Sequence, residues 1–592
     1  MFPKALRIAP LLRSLLLGAA CATATVGASS VLVGCADEND PKTWVERLDD
    51  PQKQPSAIKR LIQFYEDAMT RDKKDREGPT VKPLLDTIVE PLTKVCTDGN
   101  LQERTRSTLV KFLADSHDKR AEPCFKKTLA DYKPDTNEED VRWVMRAAGK
   151  MKLTSLTPEA FKVFTTIQVS KPKASLIYRD VNDAILELVG PAQEAELIAL
   201  VERPMPTEQS ELNAIKNEAF WQIVAAKALG NIKSEKAVGP LLKVVLSPGK
   251  APVRNTALVS LVKIGKPAIG PAEDVLKGTN KELVDFAKTE ALKGAEKDKD
   301  GKPTKAGIEA AEKAYISTTA EILGALGRED AVGPLLGALE SADDVGKAII
   351  ALQLPQLPRS AQTTEAFKKV FESSKPDMML PGIGNKRELM MELSSGFFDA
   401  SMVPWIVKMA NDAKGEQQDV DALRTVALSS AMKLMKADQL AEVDALYATK
   451  STGADGKPSE LGKAFEKEYK QAKELVTNCK DQVDCYIAKL TDQASQEKAG
   501  QFTGIKAAYM LAAFGDDSTK QKILDSIPKI ENDAVRFTAL KALEALSPKG
   551  DAAAAAKLLE MQAKAEEAKD DRLIKAYEIM PQIAARLATR AQ

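Results

Sequence analysis

The sequence predicts an all-α chain, an α-solenoid in which antiparallel helix pairs stack into a superhelix. Three observations carry this. The phrase AVGPLL at Ala237–Leu242 recurs unchanged at Ala331–Leu336, 94 residues later. Prolines that open apolar runs recur at intervals of 31 to 35, as from Pro91 to Pro123 to Pro158 and from Pro240 to Pro271, which is the period of helical repeats. Aromatic residues make up only 5% of the 592 residues, while Ala and Leu dominate the apolar set. That mix suits close-packed helices better than a sheet sandwich, which draws on Val, Ile, Tyr and Phe. A chain this long exceeds one compact core and fits an extended array.

The first element is a targeting segment. Lys4, Arg7 and Arg13 precede an uncharged stretch from Ser14 to Gly34, the layout of a secretory signal. Leu32-Val33-Gly34-Cys35 resembles the lipobox of bacterial lipoproteins. The resemblance implies cleavage after residue 34 and acylation of Cys35, which would be a membrane anchor. Cys21 fits worse, because Gly18 stands where that motif wants Leu. Ala36, rather than Asp, follows the cysteine, which under the sorting rule of enteric bacteria points to the outer membrane, facing the periplasm. An uncleaved anchor helix remains an alternative, since 21 uncharged residues can span a bilayer, as does secretion without a lipid. Residues 35–42 form a short tether. Asp40 followed by Pro41 reads as an N-cap and first helical position.

Helix pairs should then run over residues 43–342. In the two best copies, an apolar-periodic run ends in Leu229-Gly230 or Leu323-Gly324, a polar turn follows, and Pro240 or Pro334 sits in the first turns of the next helix, where N–H groups lack partners anyway. The glycines are expected at the left-handed position that ends the first helix. Looser copies run from Ser260 to Lys277, Leu186 to Val201, Phe397 to Ala410 and Ala507 to Ile527. A second recurring element is Val-Arg before small and apolar residues at helical spacing, at Val141-Arg142, Val253-Arg254 and Val535-Arg536. Val535, Ala539, Ala542, Leu543 and Leu546 share one helix face. Trp44, Trp143, Trp221 and Trp405 are expected as core residues.

Together these elements resemble HEAT repeats of the short bacterial kind. The match is good over 220–275 and 315–342 and fair over 505–560. The resemblance implies a protein-binding superhelix, and it implies that Arg142, Arg254 and Arg536 bridge neighbouring repeats instead of serving chemistry. Prolines at 355, 358, 376 and 381 interrupt the pattern, so 343–395 reads as an irregular joint. Pairs resume over 396–592, and the charged amphipathic end of the chain suits a polar cap. Residues 295–307 and 449–462 read as polar loops. The first spaces Glu296, Asp298 and Asp300 like a calcium loop, but Gly307 occupies the position of the bidentate Glu.

Four further cysteines, Cys96, Cys124, Cys479 and Cys485, suggest two disulfides in an exported chain, pairing 479 with 485 and 96 with 124. Free thiols are the alternative; the spacings do not suit zinc. Lys+Arg and Asp+Glu are equal at 85 each, and removing the leader leaves acids in excess by three, so there is no electrostatic footprint for nucleic acid. No catalytic set, cofactor motif or metal site is expected. The only histidine, His117, lies in a polar stretch, and Gly382-x-Gly384 lacks a third glycine and a preceding strand. The expected function is a lipid-anchored envelope scaffold that binds another protein. A small-ligand or enzyme-accessory role of the bilin-lyase type, which the resemblance also allows, and a structural spacer are the alternatives.

Overall fold

The computed structural model describes residues 37–98, 100–206, 211–380, 384–451, 459–568 and 570–591. The expected leader and Cys35 lie outside these residues, as do residues 452–458 of the polar loop 449–462. The described residues form 31 α-helices, joined by 3-10 turns, and one two-stranded hairpin that pairs Met379–Leu380 with Gly384–Asn385. No described helix is long and apolar enough to cross a membrane. The chain divides into two compact units, Met1–Ala121 and Glu122–Gln592, a boundary that nothing in the composition marks.

The first unit contains the helices Pro41–Glu46, Gln54–Arg71, Val81–Asp98 and Glu103–Ser116. Asp40 caps the first, accepting from the Lys42 N–H at 2.9 Å. Asp72 caps the third, accepting from the N–H groups of Thr80 and Val81 at 2.7 and 2.9 Å. Ile58, Leu61, Ile88, Leu92 and Leu109 are fully buried and form its core. Pro91 does not open a helix here. It lies inside Val81–Asp98, where it removes one N–H from the helical ladder.

The second unit shows how the repeated phrase works. Helix Leu212–Asn231 leads through the 3-10 turn Glu235–Ala237 into helix Val238–Leu246. The second copy matches it, with Lys305–Leu326, Glu329–Ala331 and Val332–Ser341. AVGPLL therefore begins on the last residue of a turn, and its proline is the third residue of the following helix. Leu241, Leu242 and Leu335 are fully buried. Each first helix packs on the first helix of the next pair, as Leu212–Asn231 does on Ala251–Ile264. Stability in such a stack comes from neighbour interfaces, because no pair buries its apolar faces alone.

The glycines of these copies differ from expectation. Gly230 and Gly324 are interior helical residues, and the left-handed positions belong to Lys233 and Gly327, with φ of 54° and 61°. A Cβ on Gly230 would sit 2.8 Å from the Cα of Ser260, and one on Gly324 would sit 2.9 Å from the Cβ of Gln353. These glycines bring successive repeats into backbone contact. At the Gly230 crossing the Ser260 hydroxyl donates to the carbonyl of Ala226 at 2.7 Å.

The stretch 343–395 holds the helices Asp344–Ala351, Ala361–Glu372 and Lys386–Leu393 together with the hairpin. Helix Gln501–Phe514 carries Lys506, which is fully buried. Its ammonium donates to the carbonyls of Lys433, at 3.0 Å, and Met435, at the end of helix Gln417–Leu434. Burial pushes the Lys506 pKa well below that of a free lysine. The unfolded chain therefore binds more protons than the folded one between the two pKa values, and stability rises with pH across that window. Lys506→Met should flatten the alkaline rise in urea-unfolding stability between neutral pH and about pH 10.

The end of the chain is not a solvent-facing cap. The last helix, Met580–Arg590, returns to the middle of the unit and packs on Ala251–Ile264, Asp533–Ala545 and Ala552–Glu567. Three glycines with positive φ, Gly265, Gly327 and Gly550, pass close against it. A Cβ on each would meet Thr589, Arg590 and the backbone of Ala591 respectively. Arg586 and Arg590 are buried at this contact. Arg586 donates to the Ala325 carbonyl at 2.7 Å and to Glu544 at 3.1 Å, and Arg590 reaches Glu544 at 2.9 Å. Arg328 donates back to the Thr589 carbonyl.

Candidate functional site

The arginines of the Val-Arg elements lie as follows. Arg142, on helix Glu138–Met151, donates to Asp180 on helix Tyr178–Leu188 at 3.2 Å. Arg146, one turn further on, holds the same carboxylate at 2.8 and 3.3 Å. Arg254 forms a two-pronged pair with Glu321 at 3.1 and 2.5 Å. Arg536 meets Asp533 at 2.6 Å and the carbonyls of Ile530 and Glu531, all in its own helix and the turn before it, and lies over the Tyr577 ring. Arg146, Arg586 and Arg590 have no counterpart in the repeat pattern. Their i, i+4 spacings are ordinary in a helix, and their acidic partners are distant in sequence.

Cys479 and Cys485 form a disulfide with a Cα–Cα distance of 5.5 Å, joining the end of helix Glu460–Cys479 to the start of Val483–Thr491. Closing a loop this short stabilises by about 2 kcal/mol in the chain-entropy account. Cys485→Ser should lower stability by about that amount, and the wild type should lose the same amount on reduction, as measured by urea titration with and without reductant. Cys96 lies buried in the first unit and Cys124 buried in the second.

Only Trp405 is a core tryptophan, packed edge-on to Phe367 and Phe371. Trp44, Trp143 and Trp221 are half-buried, and each has arginine against its ring: Arg47 at 4.2 Å, Arg142 and Arg146 at 5.5 and 5.1 Å, and Arg203 at 5.0 Å. In loop 295–307 the Asp298 carboxylate accepts from the N–H groups of Asp300 and Lys302 at 2.9 and 3.0 Å, which is a turn rather than an ion cage. His117 takes the left-handed position that closes helix Glu103–Ser116.

A groove lies between helices Glu194–Glu202, Val238–Leu246 and Lys281–Lys293, with a volume of about 570 Å³. Pro240 of the first AVGPLL copy is on its wall, with Pro204, Met205, Pro248 and Phe286. Most of the charged groups around it have partners within the fold, and Glu202 is an exposed carboxylate on its rim. Lys250 donates to the carbonyls of Val201 and Arg203 at 2.5 and 2.7 Å and to Gln222 at 3.1 Å. Burial brings its pKa down to about 8, despite the opposing pull of Glu218, Glu202 and Glu290. Glu290 accepts from the Ser247 hydroxyl at 2.6 Å and pairs with Lys293. Burial pushes its carboxyl pKa up, but these two partners outweigh that and hold it below the usual range. Lys243 pairs with Glu282 at 2.8 Å. The result is an apolar trough between prolines, bordered by mostly partnered charges and the exposed Glu202. Such a surface can desolvate an extended or helical segment at low electrostatic cost.

No protein-family model and no curated protein matches the sequence. Among solved structures, the chain is similar to importin beta crystallised in ammonium sulfate, at 10% identity over 92% of this chain and 84% of that one, with a TM-score of 0.25. It is also similar to SYS-1, at 9% identity over 86% of this chain and 99% of that one, with a TM-score of 0.27. At those scores the architecture rests on the helix-on-helix packing of the chain itself, which is that of an α-solenoid of stacked antiparallel pairs.

Proposed function

We propose that this chain is a lipid-anchored scaffold of the bacterial cell envelope, of the HEAT-repeat kind, facing the periplasm and binding another protein along its repeat surface. The single observation that carries the binding role is the trough beside Pro240. Apart from the exposed Glu202 on its rim, its ionisable groups are spent on one another or on neighbouring carbonyls, so what remains for a partner is mainly apolar surface with a polar border. The Cys479–Cys485 disulfide supports export, because such bonds persist in oxidising compartments. The proposed anchor is Cys35, and the second proposed pair is Cys96 with Cys124. A small-molecule ligand is the second reading, favoured by the groove volume, which lies in the range of ligand pockets.

Crosslinking and pull-down from intact envelopes tests the leading reading. Wild type should capture a discrete protein, Phe286→Glu should lose it, and Cys35→Ser should abolish metabolic acyl labelling. Capture that is unchanged by Phe286→Glu would remove the trough from the interface, and acyl labelling that survives Cys35→Ser would overturn the anchor.

A further inference from the structure

Where the last helix docks, positive charge is gathered in excess. Glu544, on helix Asp533–Ala545, is the one buried carboxylate there, and its side chain is 4% exposed. Its Oε1 accepts from Arg586 and Arg590, at 3.1 and 2.9 Å, and its Oε2 accepts from Lys541. One carboxylate thus faces three cations. Its pKa records the imbalance: burial raises it, but Lys541, Arg586 and Arg590 together hold it far below the usual carboxylate range. The cations also oppose one another, since burial lowers the pKa of Arg590, with Arg586 and Arg328 adding to that effect. A buried group of like charges with one counter-charge is costly unless another anion joins it.

A cavity of about 30 Å³ lies against this cluster. Lys541, Glu544 and Arg590 form one side, and Arg359, Gln356 and the 396–398 turn form the other. Its volume suits one water or one halide-sized ion. Glu544 does not bar an anion, because both its oxygens already accept from cations. Lys541 carries three N–H groups, and its ammonium donates one of them to Glu544. Arg359 spends Nη1 on the Phe398 carbonyl at 3.1 Å and has further donors. Arg359, Pro358 and Pro548 also wall a wider cavity of about 430 Å³, which provides a route from solvent.

We infer that this cavity is a site for a small monovalent anion of chloride's size, held between Arg359 and Lys541, which supplies the counter-charge that Glu544 alone does not. Binding only to the folded chain, the ion stabilises it by mass action. The site is independent of the partner-binding trough.

The test compares thermal unfolding of the full chain in sodium chloride and sodium gluconate at matched ionic strength. Melting temperature should rise logarithmically with chloride and not with the bulky gluconate. Arg359→Gln should abolish the difference while Arg359→Lys, which keeps the charge, retains it. Arg359 is exposed, so neither change removes a core residue. In crystals grown with bromide, anomalous scattering should place a peak between residues 359 and 541. Equal melting in the two salts, a chloride response that survives in Arg359→Gln, or a water without a bromide peak would each overturn the assignment.

Discussion

Glu544→Gln should destabilise the second unit by about 3–5 kcal/mol, the largest effect expected from any single polar substitution in this chain. Gln keeps the shape and can still accept hydrogen bonds, so the loss isolates charge. With the carboxylate gone, Lys541, Arg586 and Arg590 remain buried together without their anion. Removing one partner of a buried ion cluster is far more harmful than replacing the whole cluster with apolar residues. Glu544→Gln combined with Lys541→Met and Arg590→Met should therefore recover part of the loss. The midpoint of urea unfolding reads both. The same group predicts an acid limb. Its folded pKa lies below that of an unfolded glutamate, so its contribution is present above about pH 4.3 and is lost as pH falls through the folded value. In Glu544→Gln that limb should shrink.

Gly230→Val should cost roughly 3 kcal/mol, the upper range for overpacking a tight core. The obstacle is backbone: the Cα of Ser260 would lie 2.8 Å from the new Cβ, so no rotamer change relieves it. The control is Gly337→Ala, inside helix Val332–Ser341 of the second copy. A Cβ there meets nothing within 4 Å, and alanine's helix preference should give about 0.5–1 kcal/mol of added stability. Two helical glycines of the repeat copies thus give opposite signs. Circular dichroism melts of the two variants check this directly, and a neutral Gly230→Val would mean that the repeats do not approach as closely as described.

What could be read in advance follows from range. The helix starts were legible because a cap and a proline act within a few residues: Asp40 before Pro41, and Pro240 and Pro334 in their first turns. The glycines were misassigned because Leu-Gly at the end of an apolar run looks the same whether the helix stops there or a neighbour crosses there. Only the position of Ser260 decides between them. The last helix was read as a solvated cap because Arg586 and Arg590 are charged and spaced i, i+4, as on an exposed face. Their partners are Glu544, 42 and 46 residues away, and carbonyls 261 and 263 residues away, and no local pattern carries that information. Arg146 was missed beside Arg142 because its share in Asp180 depends on the helix that follows. The trough followed the same logic, since Pro240 was legible as a helix opener but not as a wall.

The return of Met580–Arg590 to Ala251–Ile264 changes how the second unit folds. An open repeat array can gain or lose order one pair at a time, from either end, with nearest-neighbour couplings. Here helix Met580–Arg590 completes a contact with pairs made more than 300 residues earlier. The repeats between residues 251 and 590 can begin to stack during synthesis, but the contact that joins the two ends of this stretch waits until helix Met580–Arg590 has been made. That raises contact order, slows the final step and couples the pairs between, so that they lose structure together instead of fraying from one end.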